Sequence, residues 1–114
     1  MQHDRLTMLK KLSFIGENNI NIFSSYIPDH YDEIYTLYDL FNKTSLDYEK
    51  IEFGKPVENA HSFTFICKLP DSYFSTLEAY LSDNGTTIQC KRNKPFNVSL
   101  KENKDKTHIK FKKI

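Results

Sequence analysis

The chain has 114 residues, 39% of them hydrophobic and 27% charged, and a net charge of +1. This suits one compact domain with a packed core, and 3 glycines and 4 prolines are too few for a long disordered linker. No apolar run approaches the ~18 residues of a membrane helix, and the N-terminus (MQHDRLTMLKKLSF) lacks a secretory core and cleavage site, so a soluble, intracellular chain with no membrane partner is expected.

Cys67 and Cys90 stand alone with no CxxC pair, and the 4 histidines are scattered without ligand spacing. A disulfide framework and a zinc site are therefore not expected, and no cofactor is implied. The charge is unevenly spread. Residues 27–85 hold 4 Lys against 11 Asp or Glu, a net −7, while residues 86–114 hold 9 Lys or Arg against 2 acids, a net +7. Such asymmetry fits a polyanion-binding face, and it fits a solvated tail equally well.

In chain order, Leu6, Leu9 and Leu12 lie at threefold spacing and suggest a short helix near the start, while LSFIG (12–16) could itself be a strand. NINIFSSYI (19–27) reads as a strand. Pro28 and Asp29 then open a helix over DHYDEIYTLYDLFNK (29–43), where Ile34, Leu37, Tyr38 and Phe41 fall at i, i+3, i+4 and i+7. LDYEKIEFG (46–54) carries a short strand, and GKPVENA is a loop. HSFTFICKL (61–69), β-branched and aromatic, is the strongest strand. Pro70 ends it, Asp71 or Ser72 caps a second helix with Phe74, Leu77 and Leu81 inward, and Asn84-Gly85 supplies a left-handed stop. TTIQCKR and FNVSL follow as short strands joined by NKP. The tail (101–114) is basic, and Ile109 and Phe111 could add an edge strand or fold back on the sheet.

Strand, helix, strand, strand, helix, hairpin arm and strand make an α+β chain on the ferredoxin-like β-α-β-β-α-β plan: a four-stranded antiparallel sheet with two helices on one face and the other face open. The expected division is an N-terminal extension (1–18), the domain (19–102) and a basic C-terminal tail (103–114).

Over that domain the chain resembles the RNA recognition motif family. IFSSYI (22–27) stands where the family has its six-residue motif: Ile22, Phe23 and Ile27 match, while Ser24 and Tyr26 depart. HSFTFICK (61–68) stands at the eight-residue motif: Phe63, Phe65 and Ile66 match, while His61, Ser62 and Lys68 replace its basic residue, glycine and last aromatic. SFIGEN (13–18), with Phe14 as its aromatic, is a competing register for the first motif. The resemblance implies that Phe23, Phe63 and Phe65 face solvent as a platform for stacking bases, with Ser62, Thr64 and Ile66 inward against the helices. It further implies that Lys91, Arg92 and Lys94 on the hairpin arm and Lys101 after the last strand contact phosphate, and that His61 meets a base or simply ends a strand. Lys104, Lys106, Lys110, Lys112 and Lys113 would add nonspecific attraction.

The expected function is thus single-stranded RNA binding. No P-loop, HExxH or nucleophile elbow suggests an enzyme. A second expectation is a protein-binding member of the same fold, of the UHM type, or an assembly subunit of a ribonucleoprotein. Asp29, Asp32, Glu33 and Asp39 make the first helix acidic as that subclass requires, but Arg92 and Phe96 in RNKPF are four residues apart where its loop needs two.

Overall fold

The computed structural model describes residues 17–89 and 95–114. Three helices and six strands follow in the order α1 (Glu17–Phe23), α2 (Ile27–Lys43), β1 (Glu52–Phe53), β2 (Val57–Glu58), β3 (Ser62–Lys68), α3 (Tyr73–Asn84), β4 (Thr87–Ile88), β5 (Phe96–Asn103) and β6 (Lys106–Lys113). The class is α+β. The strands form one antiparallel sheet in the order β1-β3-β6-β5-β4, with β2 also paired to β3.

Two expectations about the chain's ends are corrected. Residues 19–27 are not a strand: α1 occupies most of that stretch, and a turn closed by Tyr26 N donating to Phe23 O at 2.9 Å leads into α2. The buried positions are Asn19, Phe23 and Ile27, a fourfold spacing that suits a helical face. The element order is therefore not β-α-β-β-α-β. Likewise residues 103–114 are not a tail. They turn at Lys104, whose φ is 60°, and return as β6, the strand paired to β3 on one side and β5 on the other. The leucine-spaced N-terminus, the SFIG part of the competing register and Lys91, Arg92 and Lys94 lie outside the described residues.

α2 and α3 lie where the sequence places them, although Phe74, expected inward on α3, is only half-buried. α2 has Pro28 in its first turn, where a missing N–H costs nothing, and buries Ile34, Leu37, Leu40 and Phe41. Tyr38 sits at the edge of that stripe, its ring 5.3 Å from Tyr48. α3 buries Leu77 and Leu81 and is followed by Gly85 at φ 87° and ψ 160°, a positive-φ position that suits glycine but has an extended ψ in place of the left-handed helical stop expected. Ser72 precedes α3, but its hydroxyl makes no capping bond. Its carbonyl instead accepts from the Ser75 and Thr76 hydroxyls at 3.0 and 2.8 Å.

One core lies between the helices and a single face of the sheet. Phe63 and Phe65 of β3, Ile109 and Phe111 of β6 and Val98 of β5 are fully buried in it, together with Phe23, Ile27 and Leu77 from the three helices. The rings meet edge-on: Phe65 stands 5.0 Å from Phe63, 5.4 Å from Phe111 and 5.6 Å from Phe23. Edge-to-face packing of this kind is favoured by the ring quadrupole.

One ionisable cluster is built into this layer. His30 interrupts the first turns of α2 with φ −129° and ψ 27°, and its ring stacks on Phe63 at 4.1 Å. Nδ1 lies 2.7 Å from Glu33 Oε2 and Nε2 lies 2.6 Å from Glu58 Oε2, so His30 ties α2 to β2. His30→Ala would leave the buried Glu33 carboxylate without this partner. A loss of about 2–3 kcal/mol in urea unfolding is expected, below the ~3–5 kcal/mol of a fully buried pair because half the Glu58 side chain is solvated. Unchanged stability would show that the contacts contribute nothing.

Candidate functional site

The residues expected to bind separate into three groups. Phe23, Phe63 and Phe65 come together, but inside: they are 2%, 0% and 0% exposed. The outward platform is thereby corrected, for a reason written in the alternation. β3 pairs with β6 so that Phe63 opposes Phe111 and Phe65 opposes Ile109. Both strands thus turn their large apolar side chains the same way, and the helices cover that face. Ser62, Thr64 and Ile66, expected inward, lie on the opposite face. His61 is exposed just before β3, its carbonyl accepting from Lys113 N at 2.9 Å. Lys101 is exposed on β5 opposite His108, and Lys91, Arg92 and Lys94 are not among the described residues.

The face turned away from the helices has a composition of its own. On β6 it carries Lys106, His108, Lys110 and Lys112 in unbroken alternation with Thr107, Ile109 and Phe111, which are buried. On β5 it carries Asn97, Ser99, Lys101 and Asn103, and on β3 Ser62, Thr64, Ile66 and Lys68. Lys110 therefore lies between Thr64 and Ser99, and Lys112 between Ser62 and Asn97. Ser62 and Thr64 are buried although they point away from the core. The register places them beside the methylene stems of Lys112 and Lys110, which cover neighbours while the ammonium groups stay in water.

The five lysines of this face (Lys68, Lys101, Lys106, Lys110 and Lys112) enter no ion pair among the described residues. Among the described residues only Glu52, the cross-strand partner of Lys68, brings a carboxylate to these lysines on the strands, and it forms no ion pair with them. Successive outward positions on a strand are ~7 Å apart, close to the separation of neighbouring phosphates in an extended single strand. Among the described residues the face carries no Phe, Tyr or Trp, and its one aromatic ring is the imidazole of His108, so it can attract and align a polyanion but offers no multi-ring platform for stacking bases. Sequence reasoning classed the β6 lysines as diffuse attraction. The T-x-I-x-F alternation that places them in a row was legible, and the density of charge obscured it.

Cys67 is buried on the core side, its Sγ donating to Thr107 O at 3.7 Å, and burial pushes the thiol up to about 12 from 9.0. The folded state thus favours the neutral thiol. Its contribution to stability is complete below pH 9 and is lost as pH rises from there towards 12. Native Cys67 is expected to resist iodoacetamide at pH 8 for as long as the chain stays folded and to react fully in urea, as read by peptide mass mapping. Equal labelling in both states would contradict its burial. Among the described residues no cluster of His, Cys, Asp and Glu could hold a metal ion, and no helix is long and apolar enough to cross a membrane.

No family model, curated protein or solved structure matches the chain.

Proposed function

We propose that the chain binds single-stranded RNA along the lysine face of its sheet, holding the phosphate backbone and leaving most bases unread. The observation that carries this reading is the β6 row, Lys106, His108, Lys110 and Lys112, at phosphate spacing and without an ion pair among the described residues, with Lys101 and Lys68 on the flanking strands. The sequence resemblance to RNA recognition motifs supports the ligand class only. A ferredoxin-like plan would need a strand where α1 lies, and a stacking platform would need rings that here fill the core.

Phosphate contacts of this kind release condensed counterions. With roughly four phosphates engaged, the logarithm of the affinity should fall against the logarithm of salt with a slope of about −3. Fluorescence anisotropy of a labelled decauridylate across salt concentrations measures it. A flat salt dependence, or no binding at low salt, would overturn the proposal. Equal affinity for the matching deoxyribonucleotide would widen the ligand to any single strand. Capture of a peptide with amide shifts confined to α2 would instead favour a protein-binding role through Asp29 and Asp32.

A further inference from the structure

The β6 row leads towards a cleft. At the end of the sheet where Lys106 lies, a cleft of about 270 Å³ is lined by Glu52, Phe53, Gly54, Ile66, Lys68 and Lys106, with Cys67 behind them. β1 forms one wall, and Gly54 just after it donates its N–H to Ile66 O at 2.8 Å, which holds that wall against β3. Glu52 and Lys68 are direct cross-strand partners. Side chains so placed have Cβ atoms within ~5.5 Å and ordinarily pair when their charges are opposite. Here neither enters an ion pair among the described residues, and both line the cleft. The cleft thus presents a carboxylate and two ammonium groups beside an apolar wall that includes Ile66.

We propose that this cleft receives one nucleobase of the bound strand and that the base is guanine. The inference rests on the backbone-binding reading and adds a base-selective position to it. Guanine offers two adjacent donors, N1–H and the 2-amino group, to one carboxylate, and its O6 and N7 accept from a lysine. Glu52 accepts the first pair, and Lys68 or Lys106 donates to the second. Adenine and cytosine each bring a single amino group to a carboxylate. Uracil brings one N–H flanked by carbonyl oxygens, which a carboxylate repels. Ile66 supplies an apolar surface for one side of the ring, and the phosphate of the same nucleotide falls at the Lys106 end of the row.

The test is an NMR titration of the full chain with GMP, IMP, AMP, CMP, UMP and inorganic phosphate, run beside the decauridylate measurement. GMP is expected to shift the amides of Gly54, Lys68 and Lys106 and to bind roughly tenfold more tightly than IMP, which lacks the 2-amino group and so one charged hydrogen bond. Glu52→Gln, at an exposed position, should fold normally and bring the GMP-to-IMP ratio close to one. Equal affinities for GMP, IMP and UMP, or shifts scattered away from the cleft, would overturn the guanine position. Salt-dependent binding of decauridylate alongside that result would leave the backbone reading standing. GMP selectivity without any oligonucleotide binding would overturn the backbone reading and retain the cleft as a mononucleotide site. No response to any probe would remove both.

Discussion

Phe65→Ala is expected to cost about 3–5 kcal/mol of stability, the range for emptying a buried phenylalanine site. The side chain is 0% exposed and meets the rings of Phe23, Phe53, Phe63 and Phe111, so the vacated space lies where β3, β6, β1 and α1 converge. Such a loss is a large part of the ~5–15 kcal/mol that holds a domain of this size together. The melting midpoint should fall by about 15 °C or more, measured by circular dichroism. A base-stacking role makes the opposite forecast, a variant that melts like the parent and loses only RNA affinity. The two outcomes are separable in one preparation, by measuring binding at a temperature where the variant is still folded. Affinity per folded molecule should then match the parent.

The same ring shows how much the sequence disclosed. Alternation in residues 61–69 identified a strand, and the strand is there. Which face was buried could not be read from β3 alone, because Ser62, Thr64 and Ile66 are small or aliphatic enough to lie under helices, and Phe63 and Phe65 are as able to stack as to pack. The partner strand decides it. β6 has Ile109 and Phe111 in register with those phenylalanines and lysines in register with Ser62 and Thr64, so only one face of the pair can be dry. Reading residues 101–114 as a tail that adds at most an edge strand left out the internal pairing of β6 with β3 that held the answer. In residues 19–27 the apolar residues satisfy a twofold and a fourfold spacing equally well, and what favours the helix is packing of Phe23 against Phe53 and Phe65, a tertiary contact that local propensity does not contain. α2, α3 and the end of α3 at the positive-φ Gly85 were legible because long stripes and glycine turns are local signals. The lysine face was half legible: its charge is plain in the composition, but its arrangement as a row depends on the register of three strands.

Charge reversal on that row gives the largest expected change in binding. Each phosphate neutralised on a single strand contributes about 0.7 to the salt slope. At 0.1 M salt, a decade below the concentration where the ionic contribution vanishes, that corresponds to roughly fivefold in affinity per lysine. Lys110→Glu with Lys112→Glu removes two such contacts, so decauridylate affinity should fall by at least about 25-fold and the slope should flatten by about 1.4. Repulsion between the new carboxylates and the phosphates adds to the loss. Both side chains are exposed on the polar face, away from the core cluster, so the melting midpoint should move by only a few degrees. Lys43→Glu is the matched control. It inverts a charge on α2, where Lys43 lies 3.1 Å from Asp39, and changes the net charge in the same direction without touching the row. If affinity followed net charge alone, the control would weaken binding by half as many decades as the double variant. If the row is the contact, the control should leave affinity within about twofold, because a charge farther from the strand than the ~10 Å Debye length at 0.1 M salt is largely screened. Weakening in that half-to-whole proportion would show the attraction to be diffuse and would remove the assigned face.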